Sequence, residues 1–194
     1  PPPHSSSAAS DVYKRQSITF AIIVTVLSYI IGIAIGACLG YFAGKLDLFG
    51  VRLMEVFSAV PFLFTLMILA SFMQPNVLLL ATMSVLLQGW IGITYYVRGE
   101  FFREKAKDYV SAAVSMGASP SSIMFKHILP NSLTPIITWA PFSIIGNIGT
   151  LVSLDFLGYG LKPPTSSWGN LLSQALENLD NWHMLILSLI HISE

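Results

Sequence analysis

An all-α bundle of membrane-spanning helices is the fold to expect from this chain. Hydrophobic residues make up 54% of its 194 residues and charged residues only 10%, whereas a soluble domain carries about 25% charged residues. The mean hydropathy is +0.68. Four apolar runs reach the roughly 20 residues that a helix needs to cross a bilayer, and short polar connections separate them.

The charge balance and the reactive residues exclude several classes of function. Ten basic and ten acidic residues give a net charge of zero, which argues against a nucleic-acid partner. The single cysteine, Cys38, lies in an apolar run and is interpreted as a packing residue. His127 and His183 lack the neighbouring ligands that a metal site needs. No pairing of a nucleophile with a base is visible, so we expect neither catalysis nor a metal in this chain.

The two ends of the chain differ in character from the rest. Residues 1–16 have no apolar core for a signal peptide, and their SSAASDVYKRQ portion resembles a translated sequencing adapter. Residues 187–194, LSLIHISE, resemble the matching adapter. We therefore expect a metagenomic gene fragment whose native sequence, a permease-type transmembrane domain, occupies residues 17–186. The alternative is a native polar terminus.

The first span is predicted at residues 17–43. Within it Gly32, Gly36, Gly40 and Gly44 recur every four residues and so share one helical face. Such a stripe of small residues lets a second helix approach closely. We interpret it as a packing face without a role of its own in transport.

The next two spans carry one break and one polar residue of interest. A polar turn at residues 45–52 leads to a span at 53–73, which Pro61 is expected to kink. The third span is predicted at residues 77–97, with Gln88 near its middle. A buried glutamine in a membrane either lines a path for solutes or hydrogen-bonds a neighbouring helix, and the sequence leaves both open.

A dense mixed-charge helix at residues 98–107, RGEFFREKAK, follows and is expected to be solvated. The fourth span is predicted at residues 131–157. It contains Asn147 and, near its outer end, Asp155. An acid at that depth is costly unless it is paired or hydrated, so Asp155 is either a contact for a cationic group, such as a peptide amino terminus, or an interfacial carboxylate. With Gln88, these residues form the candidate substrate path.

The polar segment at residues 107–131, hereafter the polar hairpin, reads as two short helices. A glycine is favoured just past a helix end, which places the end of the first helix before Gly117. Ser119 is a favourable N-cap and Pro120 suits the first helical position. The second helix is expected to run to about Leu129, because Pro130 disfavours helical geometry in the residue before it.

The hairpin resembles the EAA loop in the membrane subunits of ABC importers. The resemblance rests on Ala112-Ala113, on Gly117 and His127 with nine residues between them, and on the run His127-Ile-Leu-Pro130. The later run SLDFLGYGLKPPTSSWGNLL is similar to the dipeptide/oligopeptide permease branch, closest to its second permease subunit and to YejE-like members. Ser111 stands where the motif has a glutamate, so no role of that carboxylate transfers.

The resemblance implies the type 1 ABC-importer permease fold of six spans, of which one would lie upstream and most of the last downstream. It implies a translocation path for peptides or related solutes, with nickel, a glycopeptide or a peptide antibiotic as alternative cargo. An ATP-independent transporter is the alternative class; it would show intramembrane charge pairs or an inverted repeat, and neither is visible. The implied residues that dock onto the ATPase are Tyr109, Ala112, Ala113, Gly117, Ala118, His127, Leu129 and Pro130.

The resemblance also implies the partners and the cofactor. These are ATP-binding cassette subunits, a second permease subunit in a heterodimer, an extracytoplasmic substrate-binding protein and the lipid bilayer. ATP would bind the partner, since Gly40 to Lys45 lacks the glycine and the hydroxyl that a P-loop requires at Leu39 and Leu46.

Basic residues predict the orientation, because lysine and arginine favour the cytoplasmic side. Within residues 17–186, every one except Lys162 lies in the first or third connection. This places the polar hairpin in the cytoplasm, at the inner membrane of a bacterium. The loop at residues 158–181, with a surface helix at 167–176, then lies outside.

Overall fold

A computed structural model describes residues 4–73 and 76–161, and throughout these residues the ordered elements are helical. The expected loop beyond Leu161, its surface helix and the last apolar stretch near Trp182 lie outside the described residues. The elements, in chain order, are α1 His4–Phe42, α2 Gly44–Ser58, α3 Phe62–Phe72, α4 Val77–Ser84, a π-helical turn π1 Val85–Gly89, α5 Trp90–Lys105, α6 Asp108–Ser115, α7 Pro120–Ser122, a second π-helical turn π2 Ile123–Ile128, α8 Leu129–Thr138 and α9 Ala140–Phe156.

The all-α membrane fold is confirmed. Two helical stretches, Arg15–Phe42 and Val77–Lys105, are each long and apolar enough to cross a membrane. Two further pairs, α2 with α3 and α8 with α9, each satisfy the same test as one broken span. The break between α2 and α3 falls at Pro61, as expected from the missing N–H and the fixed φ of proline.

The predicted polar turn at residues 45–52 is wrong, because these residues belong to α2. The helix of the first span is interrupted at Ala43 and Gly44, whose φ angles are 53° and 60°, and the chain is helical again from Gly44 onward. Asp47 lies in the first turn of α2, where the positive end of the helix dipole favours an acid. Arg98 of α5 also binds the Asp47 carboxylate through two nitrogens, with Nη2 donating to Oδ2 at 2.6 Å.

The predicted helix break before Pro130 is also wrong, because helical structure continues from Pro120 to Thr138. The π turn at Ile123–Ile128 ends two residues before Pro130. A π turn is wider than an α turn, so it absorbs the ring and the lost donor that would otherwise end an α-helix. The polar hairpin therefore runs without interruption into the fourth span.

Two compact units are present in the chain. One unit contains residues 24–62 and 84–143 and includes the polar hairpin. Its core is apolar and joins α1, α5, the hairpin and α8; its buried members include Ala37, Ile93, Val97, Phe101, Val110, Ala113, Ile123, Met124, Ile128 and Ile136.

The glycine stripe of α1 packs against α5 within this unit. A Cβ on Gly36 would lie 2.7 Å from the Thr94 carbonyl oxygen, and one on Gly40 would lie 2.8 Å from that of Arg98. A Cβ on Gly32 would overlap the Ile93 side chain and lie 3.1 Å from the Trp90 carbonyl oxygen. The packing interpretation is confirmed for these three glycines, whereas Gly44 meets nothing within 4 Å and belongs to the turn.

The other unit contains the described parts of residues 4–23, 63–83 and 144–161. Its buried side chains include Phe20, Leu66, Leu80, Leu151 and Leu154. An open cleft of about 140 Å³ in this unit is lined by Phe64, Met67, Ile68, Ser71 and Tyr159.

Candidate functional site: the polar hairpin

The turn of the polar hairpin has the hydrogen bonds of a Schellman motif. Ala118 N–H donates to the Ala113 carbonyl at 3.1 Å, and Gly117 N–H donates to that of Val114 at 2.9 Å. Gly117 has a φ of 80°, a left-handed conformation that strains residues with a Cβ. Ser119 then caps the second helix by accepting from Ser122 N–H, with Pro120 at the first helical position. These local predictions are confirmed.

The inner face of the hairpin is part of the core. Val110 and Ala113 of α6 are buried, together with Ile123, Met124 and Ile128 of π2. They belong to the same cluster as residues of α5, and Tyr109, Ala118 and Leu129 pack against that cluster as half-buried residues. The hairpin is thus fixed to the end of α5 by apolar contacts.

The outer face carries exposed apolar side chains. Val114, Met116 and Phe125 are 57%, 80% and 61% exposed, and are called the outer apolar residues below. Ala112 is also exposed, so the two alanines of the motif face opposite ways, one into the core and one outward. Ser111 and Pro130 are exposed as well.

One residue that the sequence interpretation missed is Glu104, at the end of α5. It was expected in a solvated helix, but it is only 1% exposed. Its carboxylate accepts hydrogen bonds from Lys107 Nζ at 2.7 Å and from the Tyr109 hydroxyl at 2.9 Å. Arg103 lies 3.5 Å away. The solvated interpretation of this segment is therefore wrong for Glu104.

Tyr109 connects the Glu104 carboxylate to both helices of the hairpin, because Tyr109 lies in the first helix and its hydroxyl reaches the second. The Tyr109 hydroxyl also lies 3.5 Å from the His127 carbonyl oxygen, which accepts from Asn131 Nδ2 at 2.6 Å. Burial, followed by the hydrogen bond to Glu104 and its negative charge, raises the pKa of Tyr109 to about 12. Tyr109 is therefore a neutral hydrogen-bond donor at physiological pH.

No pattern in the sequence marks Glu104 as buried. It is one of several acids and bases in a short run, and its partners lie three and five residues on, across the α5–α6 corner. Burial of the corner by the rest of the hairpin is what distinguishes Glu104 from its neighbours.

The three candidate path residues are not brought together within one unit. Gln88 lies in the unit of the hairpin, where its amide binds two backbone carbonyls at the break after α2. Asn147 and Asp155 lie in the other unit. There Asp155 is buried and its carboxylate accepts from Leu161 N–H at 2.6 Å, which closes the turn after α9.

Comparison with known proteins adds to this geometry. A family model described as "Binding-protein-dependent transport system inner membrane component" matches residues 28–193. The chain is 42% identical over 165 residues to the inner membrane ABC transporter permease protein YejE of Escherichia coli, covering 85% of the chain and 48% of that protein. It is 39% identical over 165 residues to the peptidoglycan transport system permease protein YejE of Agrobacterium fabrum, covering 85% and 43%.

A more distant relative is the oligopeptide transport system permease protein OppC of Haemophilus influenzae, 34% identical over 86% of the chain and 53% of that protein. The chain thus spans about half the length of these curated relatives. Among solved structures, the MetNI methionine ABC transporter matches with a TM-score of 0.68 at 17% identity, over 92% of the chain and 85% of that chain. This likeness establishes the fold alone.

Proposed function

Since the chain belongs to the family of binding-protein-dependent transport system inner membrane components, we propose that it forms membrane-spanning structure of an ATP-driven importer. The polar hairpin is then its docking element for a separate ATPase subunit. The observation that carries this proposal is the two-sided character of the hairpin. Its inner face is fixed to the core, while the outer apolar residues are each more than half exposed.

The hairpin is suited to transmit force. Closure of an ATPase pair yields work only if the element that it moves is stiff and attached to a membrane helix. The hairpin meets both conditions, because it packs on the end of α5 and continues directly into α8. The Glu104–Tyr109 hydrogen bond adds a polar link across the same corner.

The proposed cargo is a peptide or a related solute. Two of the relatives support this class, since their names refer to peptidoglycan and oligopeptide transport. The proposed partners are ATP-binding cassette subunits, an extracytoplasmic substrate-binding protein and a second, different permease subunit. The ATP binds the partner subunits, and this chain itself holds no cofactor and catalyses no reaction.

The proposed orientation puts the hairpin in the cytoplasm. It is supported by the basic residues around the hairpin and around the α1–α2 corner, namely Lys45, Arg52, Arg98, Arg103, Lys105, Lys107 and Lys126.

The test replaces Met116, the most exposed of the outer apolar residues, in the complete permease expressed from its own locus in membranes. Met116→Asp should weaken association with the ATPase subunit about tenfold or more, because burial of a methionine side chain is worth about 1.5–3 kcal/mol. Import should fall with it. Met116→Leu is the matched control, and it should retain both properties because it keeps the apolar surface.

Two measurements separate docking from folding. The amount and thermal stability of the inserted permease should be equal in the two variants, since Met116 is 80% exposed. Equal ATPase association and equal import in the aspartate and leucine variants would contradict the docking role of this face.

A further inference from the structure

The break between α2 and α3 leaves backbone carbonyls without their helical donors. Phe57 would normally accept from the N–H of the residue four positions on, but that residue is Pro61, which has none. Val60 N–H bends back to the Phe57 carbonyl at a long 3.4 Å. Carbonyl groups at membrane depth need donors, since no lipid tail supplies one.

Gln88 supplies these donors from another helical segment. Its Nε2 group donates to the Phe57 carbonyl at 2.8 Å and to the Val60 carbonyl at 2.7 Å. A side-chain amide has two N–H groups, so both are used on the break. The three residues belong to the same compact unit, 24–62 and 84–143.

The segment that carries Gln88 is itself irregular. Gln88 lies in the π turn Val85–Gly89, in the middle of an otherwise α-helical stretch that runs from α4 to α5. Single π turns inside α-helices occur frequently at functional positions, because the extra residue re-aims a side chain. Directly after the turn, the Trp90 ring meets the Phe57 ring edge-on with centroids 6.1 Å apart. The side chains of Gln88 and Trp90 thus both contact the end of α2.

We propose that Gln88 is a positioning residue that latches the Pro61 break and releases it during transport. The proposal rests on the proposed function, because α5, which follows the π turn, ends at the polar hairpin. Movement of the hairpin is then passed along α5 to the latch. Two hydrogen bonds from one flexible side chain can be broken and remade without unfolding either helix, so the break acts as a controlled joint.

The experiment is a double-mutant cycle between Gln88 and Pro61 in the complete permease. Gln88→Leu has a similar size but no donor. Pro61→Ala restores the N–H that can satisfy the Phe57 carbonyl within the helix, so it removes the need for the latch. Amide hydrogen exchange over residues 57–62 should be at least fivefold faster in Gln88→Leu than in the wild-type protein. In the double variant, the exchange rate should be close to that of Pro61→Ala alone.

A second readout tests the role in transport. In the assembled transporter, Gln88→Leu should lower the substrate imported per ATP hydrolysed about fivefold, while the ATPase subunits remain bound through the hairpin. Gln88→Glu should behave in the same way while its carboxyl is ionised, because a carboxylate has no donor. If Gln88→Leu proves too unstable to assemble, recovery of thermal stability by Pro61→Ala supports the latch, and no recovery overturns it.

The outcomes distinguish the two proposals. The latch would be overturned if Gln88→Leu accelerated amide exchange by the same factor in the Pro61→Ala background as in the wild-type protein. Faster exchange with an unchanged ratio of import to ATP hydrolysis would also overturn it, because Gln88 would then be a local brace only. If the wild-type transporter showed no ATP-driven import, the proposed function would be refuted instead. The exchange measurement would still show whether Gln88 stabilises the helix break.

Discussion

Gly117 offers the sharpest test of how the polar hairpin works, because its conformation and its surroundings predict different effects. Its φ is 80°, and a Cβ built on it meets no atom within 4 Å. A substitution is therefore strained by the backbone and not by crowding within the chain. For a side chain as small as alanine, a steric effect at this position therefore has to come from a bound partner.

The size of the strain follows from the backbone. An L-residue in the left-handed region costs about 1–2 kcal/mol, and asparagine tolerates this region better than alanine. A cost of that size changes the fraction of correctly turned hairpins by a factor of about 5 to 30. The membrane spans do not depend on this turn, so insertion should be unaffected.

Three variants separate the turn from the surface. If the turn matters most, Gly117→Ala should reduce import and transport-stimulated ATP hydrolysis more than Gly117→Asn does. If close contact with the ATPase matters most, Gly117→Asn should be at least as damaging as Gly117→Ala. On both views Gly117→Trp should abolish import while the protein remains inserted. Normal uptake in the tryptophan variant would contradict the role of the hairpin in coupling ATP hydrolysis to import.

Two further predictions concern buried contacts. Glu104→Ala should destabilise the permease by about 1–3 kcal/mol, because the half-buried Tyr109 hydroxyl loses its acceptor at 2.9 Å and keeps only the His127 carbonyl oxygen at 3.5 Å. Glu104→Gln should cost less, since it keeps an acceptor for Tyr109 and loses mainly the ion pair with Lys107, which is 51% exposed. Gly36→Ala should lower the melting temperature by forcing α1 away from α5, at a cost of about 1–3 kcal/mol, whereas Gly92→Ala is the control, with nothing within 4 Å.

Thermal unfolding of the purified permease measures both effects. A glutamine variant as unstable as the alanine variant would show that the charge of Glu104, and not its role as an acceptor, stabilises the corner. Equal melting temperatures for the two glycine variants would contradict the close approach of α1 and α5.

Much of this fold follows from local properties of the chain. The spans are apolar over the length that a bilayer requires, and their composition alone reveals them. The turn at Gly117 and the cap at Ser119 depend on residues within a few positions of each other, and so they were predicted where the structure has them. The spacing of the hairpin motif likewise identified the family.

The failures of the sequence interpretation have a common physical cause. The π turn before Pro130 lets one helix continue where proline alone predicts a break, because the surrounding core holds the helix together. The helix at residues 45–52 depends in part on Arg98, 51 residues from its partner Asp47.

Long-range contacts also assign the polar residues their roles. Gln88 reads as either a path residue or a packing residue until the Phe57 carbonyl, 31 residues away, is seen beside its amide. Glu104 resembles its charged neighbours until the hairpin covers it. Burial and hydrogen bonding between distant segments are properties of the folded chain. A local pattern therefore shows which polar residues are present, and packing shows which of them bear on the hairpin and the helix break.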